Sequence, residues 1–396
     1  MTNETDTEAE ALAGVLSALP EQIEKLAEVR EQLLSTAVLL AEIPAPTFAE
    51  EERIRFIHDR FRENGLDSPV IDDAGNASAL LPGSEGDNVI LVMAHADTVF
   101  DTGVRHVMRV GANNVTGPGI ADNAIGLAAV LSLPTLLTSA GIRLKDDLLL
   151  LANVKSLGRG NLQGALDFLD TVRRPLRAGI CVEGASQGRL SYSGLGALRG
   201  ELRLSIPPDY DWGRFGASGP IGHFSRIIHR ILEIPVPREP KTRMVLGSLR
   251  CGSTYNTVPL RGSLRFEITS EADEVVADLE KHVRELADAF SLESGVNAEL
   301  EVVARRPNCG IPFTHPLVKT SRTIMDALAI TPQVDPSTGD LNALIRAGHP
   351  GVTLGLTTAE NLRDENETIQ LPPLFPGLAQ LLSLLQAIDL GLCDEE

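Results

Sequence analysis

The chain has 396 residues, with 35 Lys+Arg against 54 Asp+Glu, a formal net charge of −19, 43% hydrophobic residues and 22% charged ones. This is a folded, globular composition, long enough for about two or three domains that each bury a core, so a single small binding module is excluded. So acidic a chain repels phosphate backbones and anionic lipid, and neither nucleic acid nor a membrane surface is an expected partner.

The first ten residues carry four acids and no base, the reverse of a secretory signal. The apolar runs 89–94 and 148–152 are far shorter than the roughly 20 residues that span a bilayer. Cys181, Cys251, Cys309 and Cys393 are scattered, without a Cys-x-x-Cys pair or a disulfide framework. The expectation is a cytoplasmic protein with reduced thiols.

Along residues 8–40 apolar side chains recur at three and four (Leu12, Val15, Leu16, Ile23, Leu26, Leu33, Leu34, Leu40), which predicts two helices separated near Pro20. Residues 50–64 have the same spacing, with Ile54, Ile57 and Phe61 on one face. Residues 88–94 and 147–154 then form unbroken apolar runs of strand length, with helical spacing over 124–137 between them. A third run, 177–183, follows. Strand, helix, strand with continuous apolar strands predicts an α/β domain with a mostly parallel buried sheet.

From residue 195 the pattern alternates. Leu198, Leu202 and Leu204 interleave with Arg199, Glu201 and Arg203, and segments 261–269 and 296–305 behave likewise, with helical spacing over 221–232 and 272–291. Residues 195–304 are therefore expected to form an α+β unit inserted into an α/β domain made of 1–194 and 305–396.

The candidate chemistry lies at the ends of the buried strands, where open α/β sheets bind ligands. His95-Ala-Asp97 closes the first strand. Gly117-Pro-Gly119-Ile-Ala-Asp122-Asn123 leads into the helix, and Glu183 closes the third strand. Each has a bland explanation: a hydrogen-bonded histidine, a helix cap, a strand-end acid. Together, one imidazole and two carboxylates suit a divalent metal, with Asp97 orienting the imidazole.

Here the sequence resembles the dinuclear zinc aminohydrolases and exopeptidases, a family that includes peptidase T, acetylornithine deacetylase, succinyl-diaminopimelate desuccinylase and glutamate carboxypeptidase. The resemblance runs through Ile43-Pro-Ala-Pro-Thr47, His95-Ala-Asp97-Thr98-Val99, Gly117 to Asn123, Ser253-Thr-Tyr-Asn256-Thr-Val-Pro259, His315-Pro-Leu, Asp340-Leu-Asn342 and 351–358. It implies a metal-binding α/β domain interrupted by a lid that dimerises. His95 and Glu183 would hold one metal, Asp122 would bridge two, the Asp122–Asn123 peptide would be cis, and Asn256 would contact substrate.

Three departures follow from the same resemblance. Where active members carry two glutamates, a general base and a metal ligand, this chain has Ser156 and Leu157. Where they carry a late histidine ligand it has Arg363, and the lid histidine that supports the oxyanion appears as Tyr210, before Asp211-Trp212-Gly213. Leucine and guanidinium are not ligands, and an unassisted hydroxyl is too weak a base. The expectation is a degenerate centre that holds at most one zinc or other divalent cation, or none, with Arg363 and Lys155 offsetting Asp122 and Glu183.

The acids Glu360, Asp364, Glu365 and Glu367 are either a solvated loop or the source of a replacement ligand. His223 and His229 are read as packing or surface residues, and a Ser156–Lys155 dyad is disfavoured because neighbours on extended chain face opposite ways. The expected protein is an impaired hydrolase or a pseudoenzyme that binds a small amino-acid-like or acylated ligand, with Asn256, Arg363 and Tyr210 as substrate contacts, and is a homodimer through the lid. The alternative is an active single-metal hydrolase of dipeptides or N-acyl amino acids.

Overall fold

The structure is a computed structural model that describes residues 2–86, 88–211, 213 and 219–395. The chain folds as two units, Met1–Ser193 with Gly310–Glu396, and Gly194–Cys309.

The first unit is built on a seven-stranded sheet in the order Asp67–Ile71, Ala77–Leu81, Asp147–Asn153, Val89–His95, Leu176–Glu183, Gly351–Gly355, Leu190–Ser191. The four central strands are parallel and the outer ones antiparallel, so the sheet is mixed at its edges. Every residue of Val89–His95 is buried, because helices cover both faces of a parallel sheet. One face carries the large core of Ile90, Val92, Leu150, Ile180 and the helices Leu19–Glu28, Arg30–Glu42, Ile125–Ala140 and Leu374–Asp389. On the other, Leu91, Met93 and Leu151 meet Phe168, Leu341 and Leu344.

The helical start differs from the expected pair. Three helices are present, Thr2–Ser17, Leu19–Glu28 and Arg30–Glu42. Pro20 sits in the first turn of the second, where a missing N–H costs nothing, and the further break falls at Val29. The sequence reading also passed over the stretch Ile120–Ala140, which is long and apolar enough to cross a membrane by composition, with mean hydropathy 1.6. It is mostly buried inside the protein, as a core helix beneath the sheet is.

The second unit is a four-stranded antiparallel sheet, in the order Thr242–Cys251, Arg261–Ser270, Gly196–Ser205, Asn297–Arg306. The amphipathic helices Gly219–Leu232 and Asp273–Ser294 lay Phe224, Ile227, Val283 and Phe290 against Leu202, Leu264 and Phe266. Thr242–Cys251 was not foreseen, although its burial alternates residue by residue.

Candidate metal centre

Strand register makes the site. His95 pairs with Asn153 across one neighbour, and Met93 pairs with Cys181 across the other, so His95, Asn153 and Glu183 stand in one row at the carboxyl ends. The fourth member comes from the turn before the core helix. Gly119 adopts φ +77 beside Thr98, and the chain then runs through a cis peptide at Asp122–Asn123. Asn123 is 1% exposed: its Nδ2 donates to the Val182 carbonyl (2.8 Å) and its Oδ1 accepts the Gly184 N–H (2.8 Å). Asp122 and Glu183 are thereby held by one amide that bridges their two segments.

His95 Nε2 lies 3.1 Å from Asp122 Oδ1 and 4.0 Å from Glu183 Oε2, and all three residues offer ligand atoms within 4.8 Å of one another. His95 Nδ1 donates to the Asp97 carbonyl at 3.0 Å, which leaves the Nε2 lone pair for a cation. The orienting role expected of Asp97 thus falls to its backbone oxygen. Its carboxylate, 3.5 Å from His95 Nδ1, accepts the N–H groups of Ser156 (3.2 Å) and Leu157 (2.8 Å) and the Thr47 hydroxyl (2.8 Å).

Burial opposes protonation of His95, but hydrogen bonds to Asp122 and Asp97 and the charges of Asp122 and Glu183 outweigh it and lift the imidazole well above its ordinary pKa. Burial pushes Asp122 up, and His95, Arg363 and Arg189 together hold it below the usual carboxylate range. In Glu183 burial wins over Arg189 and His95, and the carboxyl is raised.

The counter-charges differ in part from the sequence reading. Lys155 points away, donating from Nζ to the Ala74 carbonyl, and Arg363 is exposed and forms no ion pair among the described residues. Neither is a buried cation substitute. A further cation beside the acids is Arg189, whose Nη1 is 3.9 Å from Glu183 Oε1, a residue that no motif signalled, and with Arg363 it holds Asp122 down.

Ser156 is buried and fully engaged. Its Oγ donates to Asp340 Oδ1 (2.8 Å) and accepts from Asn153 Nδ2 (2.6 Å), so no Ser–Lys dyad forms. Asn153 Oδ1 is left buried without a partner. Burial raises the Asp340 carboxyl against the pull of His95, Asn153 and Ser156. Of the four late acids, Glu360, Asp364 and Glu365 are exposed, whereas Glu367 is fully buried. Glu367 accepts the N–H of Arg363 on Oε1 (2.7 Å) and that of Ala121 on Oε2 (3.2 Å), clamping the Asp122 turn.

Burial and the Asp122 charge carry Glu367 up to about 7, although those N–H groups pull it down. For an acid raised on folding, the native state binds the proton more tightly, so stability is highest at acid pH and is lost as pH rises from about 4.5 through 7. Thermal unfolding followed against pH will show that slope in the metal-free protein, and Glu367→Gln will flatten it. A slope that survives the substitution contradicts the assignment.

Of the predicted substrate contacts, Asn256 lies on an exposed loop of the second unit. Tyr210 is 6% exposed and part of that unit's core, with its hydroxyl 3.2 Å from His223 Nε2. Trp212 of the run used to place it lies outside the described residues. His223 is buried and His229 exposed, and all four cysteines are free thiols.

Residues 76–155 match the sequence profile of peptidase family M28. No curated protein matches the chain by sequence. Among solved structures, the aminopeptidase PepT of Bacillus cereus is 18% identical, covering 90% of this chain and 98% of its own, with TM-score 0.67. The di-peptidase Dug1p of Saccharomyces cerevisiae is 12% identical over 94% and 98%, with TM-score 0.77. YXEP of Bacillus subtilis, a dinuclear metal binding peptidase of family M20, is 16% identical over 91% and 99%, with TM-score 0.63. The chain has the fold of the metal-dependent peptidases and amidohydrolases, and the resemblance read from its motifs is supported.

One divalent cation fits the donors present, an imidazole and two carboxylates with the imidazole already oriented. The positions that the resemblance gives to a second cation's ligands hold Leu157 and Arg363, an apolar side chain and a permanent cation.

Proposed function

We propose that this protein is a metallopeptidase-fold chain with a one-cation centre, impaired in hydrolysis, which binds a small amino-acid-like or acylated ligand. The observation that carries the reading is the convergence of His95, Asp122 and Glu183, while Ser156 and Leu157 stand where a base and a ligand are required. A bound cation would supply Lewis acidity toward a ligand's carbonyl oxygen. The chain's own residues then hold rather than cleave: Arg189 and the exposed Arg363 offer positive charge to a carboxylate, and the Ser156 hydroxyl is committed to Asp340. Zinc, cytoplasmic residence and a homodimer through the second unit belong to this proposal.

A second reading rests on Ser156 and Asp340. A carboxylate 2.8 Å from the hydroxyl at the base position leaves a route for Asp340 to take a proton through Ser156 in a single-metal dipeptidase or aminoacylase. A screen of dipeptides and N-acyl amino acids separates the two. Turnover lost in both His95→Ala and Asp340→Asn supports the second, and saturable binding without turnover supports the first.

Cation binding must displace the proton on His95 Nε2. Affinity will therefore rise with pH, by about tenfold per unit while His95 is protonated, with proton release on binding. Zinc titrations at several pH values in two buffers of different ionisation enthalpy check this. A pH-independent affinity rules out His95 as a ligand.

A further inference from the structure

A cavity of about 570 Å³ opens in the first unit at the end of the sheet away from the metal centre. It is bordered by Asn88, Arg177 and Pro350, which precede or begin the strands Val89–His95, Leu176–Glu183 and Gly351–Gly355 at their amino ends. A strand of seven residues rises about 3.3 Å per residue, so the two places are separated by roughly 20 Å. The volume lies within the range of about 300–1,000 Å³ of small-molecule sites.

His315 gives the cavity its chemistry. It is 5% exposed and caps the helix Pro316–Ala327, its Nδ1 accepting the N–H of Leu317 at 3.1 Å. With Nδ1 used as an acceptor, the neutral ring carries its proton on Nε2. The facing acceptor is Glu395 Oε1 at 3.6 Å, beyond hydrogen-bond reach, so the donor of this buried side chain opens onto the cavity with no protein acceptor in reach among the described residues. The same tautomer argues against a metal here, since freeing Nε2 would set a protonated Nδ1 against the Leu317 N–H.

Glu395 is exposed and unsatisfied by a cation, whereas Asp394 is already bound by Arg177 at 3.0 Å. Ile311, Pro312, Ile345 and Pro350 provide apolar wall. A donor and a carboxylate 3.6 Å apart beside an apolar surface complement a group that carries an acceptor and a cation on adjacent atoms. We infer that this cavity binds a free α-amino acid with an aliphatic side chain, its carboxylate on His315 Nε2 and its ammonium on Glu395. This site stands apart from the metal centre and does not rest on the function proposed for it.

The test is calorimetric titration of the full chain carrying His95→Ala, with chelator present, so that the metal centre takes no part. L-Leucine is the probe, with leucinamide and 4-methylpentanoate as analogues that lack the carboxylate and the ammonium. Leucine is expected to bind once per chain, and each analogue at least about tenfold more weakly. Adding His315→Asn, which keeps a capping side chain but removes the Nε2 donor, is expected to weaken leucine by at least about tenfold. Glu395→Gln, an exposed position on which folding does not depend, should weaken leucine while leaving 4-methylpentanoate unchanged. Absence of leucine binding at millimolar concentration, or binding indifferent to both substitutions, overturns the inference. If leucine binds only when His95 is intact, the ligand belongs to the metal centre and this site is refuted while the proposed function stands.

Discussion

Replacing Ser156 and Leu157 with glutamate and Arg363 with histidine together is expected to raise the divalent metal content from one to two equivalents per chain. The resemblance places the missing base and two missing ligands at these positions, and the backbone is already held for them: the N–H groups of residues 156 and 157 are fixed on Asp97, and that of residue 363 on Glu367. The metal-free variant should be less stable than the parent. It adds two carboxylates to a region that already holds Asp97, Asp122, Glu183 and Asp340, and it removes the positive charge of Arg363 that helps to keep Asp122 ionised. Zinc should restore and then exceed the parent's Tm, because a ligand that binds only the native state stabilises it by mass action. A variant that still takes up one equivalent, with no zinc-dependent gain in Tm, shows that more than these three positions separates this chain from a two-metal centre.

Asn123→Ala is expected to cost about 2–5 kcal/mol of folding stability, measured by denaturant unfolding of the metal-free protein. It orphans the Val182 carbonyl and the Gly184 N–H inside a core where neither reaches water, and each such buried group costs about 1–3 kcal/mol. Crowding makes the position intolerant from the other side as well, since a Cβ at Gly126 would stand 2.1 Å from Asn123 Oδ1. Metal affinity should fall in parallel, because the same amide ties the Asp122 turn to the Glu183 strand. A loss below about 1 kcal/mol would show that the turn is held by something other than this side chain.

The fold was legible where burial is nearly complete. Val89–His95, Asp147–Asn153 and Leu176–Glu183 each carry a mostly apolar run because both faces of the sheet are covered. Thr242–Cys251 was missed because it is an edge strand whose Arg243 and Arg250 face out, leaving only a faint alternation. The first helices were miscounted because proline in a first turn continues a helix as easily as it ends one.

For the site, residues that close strands could be read and residues that arrive from afar could not. His95, Asp122 and Glu183 sit at predictable ends. Arg189, Asp340 and Glu367 act through burial and through partners far from them in sequence, and neither is written in local composition. The same holds for Arg53, whose fully buried guanidinium donates to the Ile43 and Ala96 carbonyls and so ties the 43–47 turn to the His95 strand end. Glu367 shows the limit well, since one acid in a loop of four is buried and its exposed neighbours look the same on paper. Arg363 shows the reverse case: no sequence signal marked its side chain as exposed.

The proposed function requires a centre that takes up a single cation. Elemental analysis of the purified chain, dialysed against zinc or manganese and then gel filtered, measures this directly. One equivalent per chain, lost in His95→Ala, is the predicted result; two equivalents, or a content that His95→Ala does not change, contradicts it.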